Sequence, residues 1–152
     1  MQIRAMMSDD VKCCRDTDTL DCAAGLMWNH DIGSVPVVDS ERRVVGMITD
    51  RDVCMAAYTQ GKALSDIPVA NVMSTGVLTV GPDDALPTAE RLMREGQVRR
   101  IPVVDREQRL IGIVSQNDFM REAAENQTVR EAITNTIAAI GRSRNGVHSS
   151  SP

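Results

Sequence analysis

The sequence predicts an α+β fold with α/β-type layers: two tandem β-α-β-β-α repeats, packed sheet to sheet with pseudo-two-fold symmetry, plus a C-terminal helix. Two observations predict this fold. The segment Ser34–Asp52 (SVPVVDSERRVVGMITDRD) returns 66 residues later as Arg100–Asp118 (RIPVVDREQRLIGIVSQND), and two copies at one period indicate an internal structural duplication. Within each copy, apolar residues alternate between helical and β spacing, which places helices and strands in the same order twice.

The repeat is longer than these two segments, because the offset holds without a gap from residues 7–53 onto residues 73–119. A copy of about 60 residues buries too little apolar surface to be comfortably stable by itself. We therefore expect the copies to share a core and to form two equivalent clefts where they meet. The identical pairs include Met7/Met73, Ser8/Ser74, Asp18/Asp84, Leu20/Leu86, Pro36/Pro102, Asp39/Asp105, Gly46/Gly112 and Asp52/Asp118.

The first helix of each copy follows a short strand. Its apolar residues recur at helical spacing, which predicts one buried face. Asp18 and Asp84 precede the two helices, where an N-cap is expected. The apolar positions are Leu20, Ala23, Ala24 and Met27 in the first copy and Leu86, Ala89, Leu92 and Met93 in the second.

A hairpin and a second helix complete each copy. The β-branched runs VPVV and VVGMIT of the first copy, and IPVV and LIGIVS of the second, flank polar turns. Because proline donates no hydrogen bond to a ladder, Pro36 and Pro102 should start their strands or lie on an edge. The second helices begin at DRDVCMAAY and QNDFMREAA. We assign the first repeat to residues 1–62 and the second to residues 63–125.

Beyond the second copy, the sequence predicts one more helix, over residues 126–141. Thr128 and Glu131 have the spacing of a capping box. Val129, Ile133, Ile137 and Ile140 lie on one apolar face, which we expect to pack on the repeats or on a second subunit. Residues 142–152 have the composition of a disordered tail.

Composition excludes several classes of function. The net charge is −4 and aromatic residues make up 2% of the chain, so the cationic surface and stacking platforms of nucleic-acid binders are missing. No apolar run approaches the roughly 20 residues of a membrane span. Charges near the start occupy the place of a secretory h-region. We expect a cytoplasmic protein that contacts neither nucleic acid nor membrane.

The sequence predicts neither a metal site nor a catalytic centre. Of the four cysteines, none forms a C-x-x-C pair, and His30 and His148 are not spaced for zinc. We expect reduced, buried thiols. No Ser-His-Asp, Cys-His or paired-carboxylate arrangement can be assembled, so we expect a protein that is not an enzyme. The cysteines are Cys13, Cys14, Cys22 and Cys54.

Two short motifs carry the candidate chemistry. Thr49 and Asp52, like Ser115 and Asp118, form an [ST]-x-x-D pattern where a strand meets a helix. One interpretation is a capping box with Asp in place of Glu. The other is a ligand site, because a helix N-terminus suits a phosphate and a carboxylate one turn in can accept both hydroxyls of a ribose. The two roles can coexist.

The tandem pattern M-S-x-x-V, helix, [VI]-P-V-V-D, G-[MI]-[IV]-[TS]-x-x-D, helix resembles the CBS domain pair, or Bateman module, over residues 3–125. The resemblance implies a non-catalytic regulatory module without a required cofactor. Such modules bind AMP, ADP, ATP or S-adenosylmethionine and form homodimers through their helices. It further implies an unidentified regulated protein as partner. The alternative is a protein-interaction or dimerisation module without a nucleotide ligand.

The resemblance also assigns site residues. Thr49, Asp52, Ser115 and Asp118 would contact ribose and phosphate, while Val35, Pro36, Ile101 and Pro102 would wall the adenine pocket, although ordinary strand packing explains these four equally well. Arg99 and Arg100 would reach the phosphates; adjacent arginines are otherwise typical of solvated surface. We expect the second copy to be the better phosphate site, because the first has Gly33 and Ser34 in place of the arginines and adds Asp50. Trp28 is either interface or core.

Overall fold

The computed structural model describes residues 1–142, except the side chains of residues 127–129. The part of the predicted tail beyond Arg142 therefore lies outside the described residues. The side chain of Thr128 lies outside them as well. Within the described part, no helix combines the length and the hydropathy that a membrane span requires.

The first copy has the predicted β-α-β-β-α order, and the second has it without a regular first strand. There the strand is reduced to one parallel bridge between Val80 and Val103. Gly81 and Pro82, which follow Val80, end the extended segment at once. The elements are β1 (Cys14–Arg15), α1 (Leu20–His30), β2 (Ser34–Val38), β3 (Val44–Thr49), α2 (Asp50–Gln60), α3 (Leu86–Gly96), β4 (Arg100–Val104), β5 (Leu110–Ser115), α4 (Gln116–Glu125) and α5 (Gln127–Arg142).

Pro36 is neither at the start of its strand nor on an edge strand, contrary to expectation. It is the third residue of β2, the central strand of the sheet β1-β2-β3, and it pairs with Met47 of β3. The position is tolerated because β1 is short: its first parallel partner is Val37, so no β1 residue lies opposite Pro36. The missing N–H therefore leaves no ladder bond unmade. Pro102 lies mid-strand in β4, which belongs to a two-stranded sheet.

The described chain divides into two compact units. Within the described residues, unit 1 comprises residues 1–9, 78–103 and 112–142, and unit 2 comprises residues 10–77 and 104–111. The predicted boundary between residues 62 and 63 lies inside unit 2. Packing units and sequence copies thus differ, because short segments are exchanged.

Two equivalent antiparallel bridges show this exchange. In unit 1, Ser8 from the first copy exchanges two backbone hydrogen bonds of 2.9 Å with Ile113 of β5. In unit 2, Ser74 from the second copy exchanges bonds of 2.9 and 3.0 Å with Met47 of β3. Each Met-Ser pair therefore completes the hairpin of the other copy.

Each unit has its own apolar core. In unit 2, the predicted face of α1 is buried, and Leu20, Ala23 and Met27 pack with Val35 and Ile48. In unit 1, α3 buries the equivalent residues, and α5 contributes Ile133 and Ile140. The predicted C-terminal helix therefore packs on the fold. The equivalent residues of α3 are Leu86, Ala89 and Met93.

Two predicted helix caps, Asp18 and Asp84, are wrong. The N-caps of α1 and α3 are Thr19 and Ala85, without a side-chain capping bond. Asp18 and Asp84 instead close the preceding turns, where they accept hydrogen bonds from the N–H groups of Arg15 (2.8 Å) and Gly81 (2.7 Å). Carboxylates compete for such local backbone donors, and the nearer turn prevails here. Helix α5 begins at Gln127, ahead of Thr128, because Arg130 N–H already bonds to the Asn126 carbonyl.

Candidate functional site

The first candidate site lies in unit 2, where β3 ends and α2 begins. Thr49 is the N-cap of α2, and its hydroxyl accepts a hydrogen bond of 3.1 Å from the Asp52 N–H. Asp52 Oδ2 in turn accepts a bond of 2.9 Å from the Thr49 N–H. The capping interpretation is therefore confirmed. Among the described residues, Asp52 Oδ1 has no hydrogen bond within the protein, so this oxygen can still accept one.

The segment before β2 borders this site. The Gly33 carbonyl accepts a hydrogen bond of 2.9 Å from the Asp50 N–H, and Ser34 pairs with Thr49 across the ladder. A β-carbon at Gly33 would lie 3.4 Å from Asp50 Oδ2, so this carboxylate stands directly beside the glycine. The predicted extra negative charge of the first copy is thus next to the cap of α2.

The second candidate site lies in unit 1, where β5 ends and α4 begins. Ser115 and Asp118 form the same capping box, but both are buried. Asp118 Oδ2 accepts two hydrogen bonds of 2.7 Å, from the Ser115 N–H and from the Ser115 hydroxyl. The Gln116 N–H bonds to the Arg99 carbonyl at 2.8 Å, as Asp50 does to Gly33. The two junctions therefore share one backbone design.

The two carboxylates differ in their remaining oxygen. Asp118 Oδ1 accepts a hydrogen bond of 2.7 Å from Arg121 Nη2. The position equivalent to Arg121 in the first copy is Met55, which offers no charge. Arg121 is missing from the sequence-based site, although its i, i+3 spacing from Asp118 on a helix would have indicated the ion pair. It is well exposed, with 66% of its side-chain surface accessible, so it can leave Asp118 when another donor arrives.

The arginine pair lies beside the second junction. Arg99 is exposed, and Arg100, the first residue of β4, is half-buried. Among residues 1–142, neither forms an ion pair. Through its carbonyl, Arg99 is tied to the first turn of α4. The backbone of Arg99 thus lies beside the helix N-terminus that carries Asp118.

The residues expected to wall an adenine pocket are all buried: Val35, Pro36, Ile101 and Pro102. Neighbours in a strand point to opposite faces, so one cleft can receive only one residue of each pair. Val35 belongs to the apolar core beneath α1. In the first copy, Pro36 is therefore the better candidate for a ligand contact.

Comparisons with known proteins cover both copies. The family model for the CBS domain matches residues 3–58 and 69–125. The CBS domain-containing protein YhcV of Bacillus subtilis is 35% identical over 133 residues, which are 88% of this chain and 93% of that protein. The structure of hypoxic response protein I with two coordinated zinc ions has a TM-score of 0.73 and 32% identity, covering 80% of this chain and 98% of that one. The structure of CBSX2 in complex with AMP has a TM-score of 0.71 and 26% identity, covering 82% and 96%.

Proposed function

Because the chain belongs to the CBS domain family, with two such domains at residues 3–58 and 69–125, we propose that it is a non-catalytic regulatory module that binds adenosine-containing ligands. The observation that carries this proposal is the pair of intact [ST]-x-x-D junctions, Thr49/Asp52 and Ser115/Asp118, each built as a capping box at a helix N-terminus. The complex of the similar protein CBSX2 with AMP supports the class of ligand.

The geometry of the junctions suits a nucleoside phosphate. In α2 the first three N–H groups, those of Asp50, Arg51 and Asp52, already bond to the Gly33 carbonyl, Asp50 Oδ1 and Thr49 Oγ1. The positive end of the helix dipole still favours an anion at both junctions. Asp52 Oδ1 is free to accept a ribose hydroxyl, while Asp118 Oδ1 becomes free when Arg121 turns away. The ribose would thus be held by a carboxylate and the phosphate by the positive end of the helix dipole.

We propose that the two sites are unequal. The second site has Arg99 and Arg100 without acidic partners among the described residues, whereas the first has Asp50 beside Gly33. A charge-assisted hydrogen bond contributes about 1.5–3 kcal/mol, which corresponds to about tenfold or more in affinity. Phosphate binding is therefore favoured at the second site. Ribose binding is favoured at the first site, where no arginine has to leave the carboxylate.

Calorimetry with AMP and adenosine tests this assignment. We expect Arg99→Ala or Arg100→Ala to weaken AMP binding about tenfold and to leave adenosine unchanged. Asp118→Asn should weaken both ligands. Arg106→Ala, a change at an exposed arginine in the β4–β5 turn, is the matched control and should alter neither. If only Asp52→Asn weakens AMP binding, the ligand occupies the first site instead.

A screen of thermal shifts tests the ligand class itself. A ligand that binds only the native state raises the melting temperature. We expect shifts with AMP, ADP or ATP, smaller shifts with the guanosine analogues, and we include NAD and S-adenosylmethionine as further adenosine-containing candidates. Absence of any shift at millimolar concentration would contradict the proposal.

One observation favours a second candidate function, a protein-interaction or dimerisation module. In unit 2, Trp28 on α1 and Tyr58 on α2 expose 87% and 84% of their surface, and Met55 on α2 is also exposed. Large aromatic residues are enriched at protein interfaces. We infer a homodimer that covers this surface, which is compatible with ligand binding at the junctions.

A further inference from the structure

Three potential metal ligands converge at the start of α1 in unit 2. Cys14 lies in β1, Asp18 in the following turn, and Cys22 in the first turn of α1. The Cys14 and Cys22 sulfurs are 3.7 Å apart, and Cys22 Sγ is 3.5 Å from Asp18 Oδ2. All three ligand atoms lie within 4.8 Å of one another. Sequence spacing alone did not indicate this cluster, because its cysteines are separated by seven residues.

Two of the three separations are those of a zinc tetrahedron, and the third, between Cys14 Sγ and Asp18, is at most 4.8 Å. With Zn–S near 2.3 Å and Zn–O near 2.1 Å, tetrahedral angles place two sulfurs about 3.8 Å apart and a sulfur and an oxygen about 3.6 Å apart. Both measured distances agree with these edges. They are far longer than the sulfur–sulfur bond of a disulfide, about 2.05 Å. The ligands can therefore bind one ion after only a small movement of the chain.

The surroundings hold the ligands in place. Asp18 Oδ2 accepts a hydrogen bond of 2.8 Å from the Arg15 N–H, an outer contact of the kind that orients metal-binding carboxylates. Cys14 is fully buried in a strand paired with β2. Cys22 and Asp18 are half-buried, which leaves one side open to solvent.

The second copy provides an internal comparison. The positions equivalent to Cys14, Asp18 and Cys22 are Val80, Asp84 and Thr88. Asp84 closes its turn as Asp18 does, so the aspartate has a structural role in both copies. Val80 and Thr88 of the second copy occupy the positions of the two cysteines, so the fold forms without thiols there. The requirements of folding therefore do not explain the two cysteines of the first copy.

We propose that Cys14, Asp18 and Cys22 bind one zinc ion, with water as the fourth ligand. Two thiolates select a soft or borderline cation over Mg²⁺ or Ca²⁺. On binding, each thiol releases its proton to solvent, and the sulfur lone pair forms the bond to the metal. The site joins β1 to α1, and it is separate from the strand–helix junctions proposed to bind the nucleotide.

Cobalt substitution tests the site, because Co²⁺ in a tetrahedral thiolate site gives intense visible bands and a sulfur-to-cobalt charge-transfer band. The reduced, chelator-treated full chain is titrated with Co²⁺ and then with Zn²⁺. We expect one equivalent of Co²⁺ to give both bands and Zn²⁺ to bleach them. Cys14→Val and Cys22→Thr, which copy the residues of the second repeat, should each lower Co²⁺ affinity by more than the 10- to 100-fold typical of losing an outer contact. Asp18→Asn should weaken binding and change the visible bands.

Two cysteine variants serve as matched controls. Cys54→Ser removes an exposed thiol on α2, and Cys13→Ser removes the thiol next to Cys14 in sequence; both should retain both bands. Circular dichroism of each variant without metal verifies that it folds. The proposal is overturned if the reduced wild-type chain gives no charge-transfer band, or if the bands persist in both Cys14→Val and Cys22→Thr. Loss of the bands in Cys54→Ser or Cys13→Ser alone would place the metal elsewhere and overturn it equally.

Discussion

Gly112 illustrates how single residues fix the exchange of segments between the copies. A β-carbon added there would lie 2.7 Å from Met7 Sδ and 3.1 Å from the Ser8 carbonyl oxygen. The Met7 side chain can shift. The Ser8 carbonyl oxygen cannot shift, because it is hydrogen-bonded in the bridge with Ile113. The same arrangement recurs in unit 2, where Met73 packs over Gly46. These glycines are therefore required by close approach and not by a turn.

The first prediction is that Gly112→Ala destabilises the protein by about 1–3 kcal/mol, the usual cost of overpacking. Chemical denaturation measures the change. Gly25→Ala is the matched control, because a β-carbon there meets nothing within 4 Å. Gly25 lies inside α1, so its replacement should stabilise by roughly 0.5–1 kcal/mol. Equal effects of the two changes would contradict the packing argument.

Glu90 on α3 is a buried carboxyl group in unit 1. Burial raises its pKa above the ordinary value, and the Arg94 guanidinium offsets only part of the rise. The native state then binds the proton more tightly than the unfolded state does. The stability gained from this tighter proton binding is complete below the unfolded-state pKa, about 4.3, and is lost as pH rises through the raised native pKa.

The second prediction follows from that sign. Glu90→Gln should increase the free energy of unfolding at pH 7, and the gain should shrink on acidification and disappear near pH 4. Denaturant titrations of both proteins at pH 4 and pH 7 measure it. Glu131→Gln, which removes an exposed carboxylate on α5, is the control for the loss of one negative charge. A gain of the same size at both pH values would mean that the titration of Glu90 is not the cause.

At the scale of the element, one pair of side chains at each strand–helix junction caps the helix and is proposed to bind a ribose as well. Capping uses Thr49 Oγ1 and Asp52 Oδ2, and the proposed ribose contact uses the other carboxylate oxygen. A change at Thr49 therefore has a stability effect that is measurable without ligand. The same holds for Ser115, whose loss would also leave the buried Asp118 with one donor fewer.

The third prediction is that Thr49→Ala destabilises the ligand-free protein by about 0.5–2 kcal/mol, the cost of an N-cap. Thr59→Ala changes the same side chain in the last turn of α2, where its hydroxyl bonds only to helix carbonyls. That change should stay within about 0.5 kcal/mol. Chemical denaturation of both variants gives the comparison, and equal losses would argue against the cap.

Element identities and order followed from the sequence because local signals determine them. The helical spacing of Leu20, Ala23 and Met27 predicted the buried face of α1, and the [ST]-x-x-D spacing predicted both capping boxes. Asp18 failed as a cap because a turn donor three residues away competes for the same carboxylate. The predicted position of Pro36 was wrong because a central strand accepts a proline only where no neighbouring residue lies opposite it. That depends on where β1 begins, which strand pairing determines.

At the scale of the whole chain, the packing units could not be predicted from the repeat. The repeat predicts two copies, but not that Ser8 pairs with Ile113 and Ser74 with Met47. Such pairing depends on contacts between residues far apart in sequence, which no local pattern records. The Cys14–Cys22 contact was not predicted for the same reason, because it forms only where β1 and α1 pack together.

The exposed aromatic residues of unit 2 lead to the last prediction. The second copy has Arg94 and Ala124 at the positions of Trp28 and Tyr58, so the repeat fold does not need either ring. If a homodimer covers them, light scattering of the wild type at micromolar concentration should give about twice the chain mass of 16.6 kDa. Trp28→Arg with Tyr58→Ala, which copies the second repeat, should then weaken the dimer by at least about tenfold, as expected for truncating aromatic anchors. Arg94→Ala, on the equivalent helix of the second copy, is the control and should leave the mass unchanged. A wild-type mass of 16.6 kDa would refute the dimer, and a double variant that remains dimeric would place the interface away from Trp28 and Tyr58.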